Sequence, residues 1–596
     1  MLRREPLVVS QLVFAYIFYI AFLIIPISYV LFMAFRADIG SLLINPKYIS
    51  LGVPQEPIAQ YVRPDGKVIF IVRGFNYGII PNSLLIATIT TIITLLLGLA
   101  VALLISRYDF PLKGLLRFIL YIPMIPAPFI NAFVAFKLFD PVYGLIPWLM
   151  VDALGLPWGI GFQEMAGVIL AQVMALYPIA YINISASMLS QDPSAEEQAE
   201  NLGSRGFRLF RTVTLPLSTP GIVAAASTIF ILSLEDLGGP IAFKFRSTIS
   251  YEIFSSFRSE AAAGYISPLT AFLGFLLLVI ALSVFITVRE ISSRKQYVFI
   301  SRGGGGYNRF KKLGLKGLLA VYLLAFPFAI FTSLPQAGVV IFALAGPAWL
   351  RSPLPQEISL GHLIEMFQDP VAMRALHNSL LYSLTALVLM IVLSVSIAYA
   401  AQRFRNPYTL AIDSIAMSSL SIPGLVIALG YLYYFMDLSS ILGFNYLDSV
   451  EAISASIIIA YSVRKAPFII RAAYSGIQQI PVSLEEAASN LGSGRAKIIA
   501  GITLPLARLS IAGGSLLSWV YAFSETSVSV TLGGLAGVGM NHAAPITFIM
   551  GDYILGRVQA IAVVASLGVI LMMVEVIAIS IASYLTKQRL AVISIT

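Results

Sequence analysis

The chain has 596 residues, of which 58% are hydrophobic and 11% charged, and its net charge is +9. Average soluble domains carry about 25% charged residues, so a soluble globular protein is excluded. The absence of cysteine removes disulfides, thiolate metal sites and cysteine nucleophiles together.

Apolar runs of roughly 20 residues, the length that crosses a bilayer as a helix, recur along the whole chain. They predict an all-α polytopic membrane protein with about twelve spans. A transmembrane barrel would instead show alternating segments of about ten residues. The first six spans are predicted near 11–35, 80–106, 115–139, 163–190, 217–235 and 267–288. The next six fall near 314–346, 378–402, 409–436, 452–476, 509–530 and 558–585. The first run, Leu12 to Phe35, is too long for a signal-peptide core and reads as a retained helix.

Loop 107–117 holds Arg107, Lys113 and Arg117, and loop 191–216 holds Arg205, Arg208 and Arg211. The densest basic stretch, Arg289 to Lys316, lies between two spans. Loops 140–162, 437–451 and 531–556 hold no Lys or Arg. This distribution places both termini in the cytoplasm of a cell membrane and explains the net charge without nucleic acid as a partner. Loops 36–79 and 236–266 carry several basic residues against this trend.

The chain is duplicated. Asn82-Ser83-Leu84-Leu85 recurs as Asn378-Ser379-Leu380-Leu381, and Arg107 and Arg403 keep the same spacing from them. Glu196 to Leu217 aligns with Glu485 to Leu506, with eleven of 22 positions identical. Six spans per unit give both units one orientation, hence two parallel six-helix repeats. The predicted divisions are a first half at 1–291, a Gly-rich basic cytoplasmic linker at 292–313 and a second half at 314–596. Gly303-Gly304-Gly305-Gly306 is followed by Tyr307-Asn308-Arg309, not by the Gly-Lys-Ser/Thr of a phosphate loop. A flexible linker is expected there.

The repeated cytoplasmic segments, 194–216 and 483–505, carry the most specific pattern. One reads Glu197, Ala199, Gly203, Leu215 and Pro216; the other reads Glu486, Ala487, Ala488, Gly492, Leu504 and Pro505. Ser194 with Glu197, and Ser483 with Glu486, predict capping boxes. Gly203 and Gly492 predict left-handed helix stops, and each proline is suited to the first turn of the next span. A helix–turn–helix knob on the cytoplasmic face is expected in each half.

These segments resemble the EAA motif of permeases from type I binding-protein-dependent ABC importers, with Gln198 where the family usually has alanine. The resemblance extends over nearly the whole chain. It implies that the knobs couple to two ATPase subunits, that an extracytoplasmic binding protein delivers the solute, and that ATP and Mg are bound by partner subunits. No cofactor and no enzymatic activity are expected of this chain, which has no Walker A sequence. Ser233 to Pro240 and Ser421 to Gly430 resemble ferric-iron permeases in their fused form. Ferric iron is the expected solute, with thiamine, another small solute or sugar as alternatives. An ion-coupled secondary transporter is the reading from a different class.

The fifth and eleventh spans look short and interrupted, by Ser218-Thr219-Pro220-Gly221 in one and Gly513-Gly514 in the other. Paired interruptions of this kind point to a transport route, and close packing through small residues is the alternative. Asp236 and Glu525 hold equivalent positions at the ends of these spans, with Glu235 beside the first. One acid from each half facing the pathway would suit a hard cation. External loops 36–79 and 335–377 are the expected docking regions for the binding protein.

Overall fold

A computed structural model describes residues 5–50, 56–125, 127, 129–189, 191, 193–262, 267–294, 311–535, 542–556 and 560–586. Most of the predicted linker, including Gly303 to Gly306, lies outside these residues. Among them, eleven helices are long and apolar enough to cross a membrane. In lipid only a helix satisfies every backbone polar group within one segment, which is why the apolar runs fold this way.

The third and ninth spans differ from the continuous helices expected. The third is a helix Lys113–Tyr121, a 3-10 turn Ile122–Met124 and, after a break, a helix Ile130–Phe139. The ninth repeats the arrangement as Pro407–Ser418, Ser419–Ser421 and Gly424–Leu442. The cause is proline, whose ring pushes the preceding residue out of the helical region. Ile125 and Ile422, which precede Pro126 and Pro423, are both extended, with ψ of 103° and 121°.

The fifth and eleventh spans, in contrast, are continuous, which corrects the expectation of interrupted helices. Leu215–Glu235 and Leu504–Phe523 run unbroken through their glycines. A Cβ at Gly514 would meet the Ala472 Cβ at 2.4 Å, so close helix packing explains that glycine. Each span is preceded by a π-turn, Phe210–Thr214 or Ile499–Thr503, and the first spans of the two halves carry similar turns at Ile20–Ile24 and Val321–Ala325. In all four cases the second residue of the following helix is proline: Pro26, Pro216, Pro327 and Pro505. A proline ring clashes with the carbonyl four residues back, and the wider turn makes room for it.

The two halves exchange their first spans. Pro6–Ala34 packs on the second half, where Tyr16 donates to the Tyr408 carbonyl at 2.7 Å and Tyr431 donates to the Phe22 carbonyl at 2.7 Å. Leu315–Arg351 packs in return on the first half, where Tyr322 donates to the Pro111 carbonyl at 3.0 Å and Ser333 to the Ile119 carbonyl at 3.1 Å.

Segments 236–266 and 531–556, expected as external loops, largely fold back as short helices. These are Gly238–Ala242 with Ile249–Ala262, and Ser527–Leu532 with Ile546–Gly556. Ile249, Ile253, Ile546 and Ile549 are fully buried. The duplicated Asn-Ser pairs hold these segments down. The Ser83 hydroxyl accepts from the Ile249 N–H at 2.8 Å, and Ser379 accepts from Ile546 at 2.8 Å. Asn82 donates to the Ser247 carbonyl and Asn378 to that of His542. Residues 335–377 are likewise more helical than expected, since helices Phe326–Ala345 and Pro370–Arg403 extend into them.

Among the described residues five short strands complete the fold: β1 (Ile58–Val62), β2 (Val68–Val72), β3 (Tyr108–Asp109), β4 (Trp158–Phe162) and β5 (Lys311–Lys312). β2 lies between antiparallel β1 and parallel β4, and joins loop 36–79 to the segment before the fourth span. β5 pairs in parallel with β3 and brings the end of the linker beside the first knob.

Candidate functional site

Each knob is built from local signals. Its first helix is Pro193–Asn201 or Val482–Asn490. The capping box of the second knob does not form, because Pro481 is the N-cap, with no side-chain bond, and Ser483 sits inside the first turn; Ser194 likewise lies within the first turn of its helix. The glycine stops do form. Gly203 has φ of +85° and Gly492 of +83°, the left-handed region where a Cβ is disfavoured. The next N–H then reaches back: Ser204 donates to the Ala199 carbonyl at 2.9 Å, and Ser493 to Ala488 at 3.0 Å. The chain turns into a basic helical turn, Gly206–Leu209 or Arg495–Ile498, and passes through the π-turn into the span. Leu215 and Pro216, and Leu504 and Pro505, begin the α-helix beyond that turn.

One acid roots each knob, and it is the residue before the Glu197 or Glu486 that the motif singles out. Glu485 accepts from Arg403 Nε at 2.9 Å, Thr503 at 2.9 Å and Tyr399 at 3.0 Å. Glu196 accepts from Arg107 at 2.5 Å and Thr214 at 2.6 Å. The signal was present in the sequence, because Arg107/Arg403, Glu196/Glu485 and Thr214/Thr503 are all retained between the repeats. Glu197, Glu486 and Ala487 are exposed, while Ala199 and Ala488 are half-buried. The tips are apolar: Leu202 is 89% exposed, Leu491 87% and Phe207 75%.

The second feature is a buried charge cluster on the seam between the halves. Glu235 ends the fifth span in the first half, and Glu525 follows the eleventh in the second. Both meet Arg464 of the helix Val450–Gln478. The guanidinium lies 3.4 Å from Glu235 and is hydrogen-bonded to Glu525. Glu235 also accepts from the Gly424 N–H at 2.9 Å, where the ninth span resumes after its break. Glu525 accepts from the Val528 N–H at 3.0 Å.

Asp236, the position equivalent to Glu525, does not join this cluster. Asp236 stays within the first half, accepting from the Gly238 and Gly239 N–H groups at 2.9 and 3.1 Å and from Gln172 at 3.0 Å. It caps the short helix after its span, the same local task that Glu525 performs for Ser527–Leu532. Across the seam it is Glu235 that meets the second half. Arg464 carried no sequence signal, since the equivalent position of the first repeat is Ala175. Among the described residues no group of three or more His, Asp or Glu side chains is arranged to hold a metal ion.

Residues 390–587 match the sequence profile of the family described as "Binding-protein-dependent transport system inner membrane component". Together with the duplicated multi-pass fold and its knobs, this match makes the second half of the chain similar to membrane components of binding-protein-dependent transport systems. The chain is 25% identical to the ferric transport system permease protein FbpB of Actinobacillus pleuropneumoniae, over 79% of this chain and 66% of that protein. A putative ferric permease of Haemophilus influenzae is 23% identical over 78% of this chain and 71% of its own length. The molybdate/tungstate permease WtpB of Thermococcus kodakarensis is 27% identical over 34% of this chain and 83% of that protein. This chain thus spans about two thirds of the first of these relatives. Among solved structures, a bacterial ABC transporter that imports alginate aligns with 46% of this chain and 96% of its own, at 21% identity and a TM-score of 0.36.

Proposed function

We propose that this chain forms the solute pathway of an ATP-driven importer and couples it to separate ATPase subunits, one on each knob. The observation that carries this reading is the pair of knobs. Each presents an exposed leucine at its tip while its base is anchored by an ion-paired acid, buried in the second knob and half-buried in the first. An exposed apolar tip on a rigid base suits insertion into a partner's cleft. ATP and Mg belong to those subunits, both termini lie in the cytoplasm, and an extracytoplasmic binding protein delivers the solute to the outer face. The proposed solute is ferric iron, supported by the similarity to ferric permeases over most of the chain.

Gly203→Asp and Gly492→Asp test the coupling. A Cβ at either glycine meets nothing within 4 Å, so the variants strain only the backbone of the knob. Expected is a chain that inserts normally but loses most solute uptake; normal uptake and ATPase binding in both variants would refute the coupling role. Uptake of radioactive ferric iron, with molybdate and thiamine as competitors, tests the solute.

A further inference from the structure

The Arg464 cluster is an expensive object in its setting. Arg464 lies at the middle of the 29-residue helix Val450–Gln478, about 20 Å from either end at 1.5 Å per residue. A charge at such depth must face a partner or water. Here it faces partners: the side chains of Arg464, Glu235 and Glu525 are 10%, 11% and 1% exposed. Lys465 follows on the same helix.

The bonds divide unequally between the halves. Arg464 with Glu525, and Glu525 with Val528, are contacts within the second half. Only Glu235 crosses, and both its partners, Arg464 and the Gly424 N–H, belong to the other half. Parting the halves would leave the Arg464–Glu525 pair whole and strip Glu235 of everything it binds. Gly424 is cut to fit, because a Cβ there would meet Arg464 Nη1 at 2.4 Å. The cluster also lacks a copy. Anchors of the fold repeat in both halves, as Glu196/Glu485 and Ser83/Ser379 do, whereas the positions equivalent to Glu235 and Arg464 are Ser524 and Ala175.

We propose that Glu235 is the movable side of a buried ionic latch that holds the two halves shut across the pathway, with Arg464 and the Gly424 backbone as its keeper. The latch rests on the reading of the chain as a permease. Opening of the pathway releases Glu235 alone, at a point where water or cargo replaces its lost partners.

The chain is cysteine-free, so one cysteine reports on the seam. Ser527 is buried and lies against Gly424. The full chain carrying Ser527→Cys, assembled with its ATPase subunits in membrane vesicles, is treated with a water-soluble maleimide. Closed, the thiol is expected to react slowly. Glu235→Gln removes a charge-assisted bond across the seam and should raise the labelling rate by about tenfold or more. Glu235→Asp, which keeps the charge on a shorter arm, should fall between. Arg464→Lys keeps the charge but loses the fork that reaches both acids and should also raise labelling, which decides the matter if Glu235→Gln accumulates poorly. Parental labelling rates in Glu235→Gln and Arg464→Lys, with solute uptake retained, would overturn the latch. A parental chain that binds no ATPase and takes up no solute would instead overturn the permease reading.

Discussion

Glu485 shows what a single acid does at the base of a knob. It gathers a guanidinium, a threonine hydroxyl and a tyrosine hydroxyl, and the side chains of Arg403 and Glu485 are 6% and 3% exposed. Removing one partner of such a pair leaves a buried charge without compensation, typically a loss of roughly 3–5 kcal/mol. Glu485→Gln should therefore lower the thermal unfolding temperature of the purified chain. It should also open the second knob to protease. The equivalent Glu196→Gln should do less, because the Arg107–Glu196 pair is wetter, at 22% and 16% exposure, and exposed pairs contribute about 0–1 kcal/mol. Equal destabilisation in the two variants would contradict this ranking.

Among the elements, the π-turns before Pro216 and Pro505 set how each knob is aimed. A π-turn adds one residue to a turn of helix, and one residue is about 100° of rotation in an α-helix. Pro216→Ala or Pro505→Ala allows the turn to relax to α geometry and swing the knob around its span. The expected result is uncoupling with normal insertion, read as loss of crosslinks from a cysteine placed at Leu202 or Leu491 to the ATPase subunit. Unchanged crosslinks would mean that packing alone holds the turns. The two knobs are also tethered differently. Lys311, at the end of the linker, pairs with Glu200 at 2.5 Å beside the first, while Glu5, at the start of the chain, pairs with Arg495 at 2.6 Å beside the second. Glu5→Gln should loosen only the second knob, measured as faster amide exchange there and not in the first.

On the scale of the whole molecule, exchange of the first spans makes the halves interdependent. Each half covers part of its partner's core, so the linker has no load to bear once the halves have assembled. Cutting the chain at Gly303 to Gly306 should leave the two fragments co-purifying in mild detergent, whereas deletion of the first span should destabilise the second half. Separation of the fragments after cleavage would show that the exchanged packing is insufficient.

The amino-acid sequence alone determined the spans, the duplication and the glycine stops. These are local or self-comparing signals: an apolar run long enough for the bilayer, a segment that resembles another segment, a φ that only glycine takes easily. The proline breaks in the third and ninth spans belong to the same kind, and were legible in Pro126 and Pro423 even though a continuous helix was expected. Tertiary structure decided the rest. Whether Asp236 or Glu235 faces the second half depends on a turn of one residue at the end of a helix, and the ionic partner, Arg464, lies 229 residues from Glu235. The fold-back of 236–266 and 531–556 depends on Ser83 and Ser379, more than 160 residues away from the N–H groups they accept. Pairings at that distance arise only when the helices pack. In a membrane interior, where every unpaired polar group must find a partner, it is this packing that chooses which acid meets the arginine.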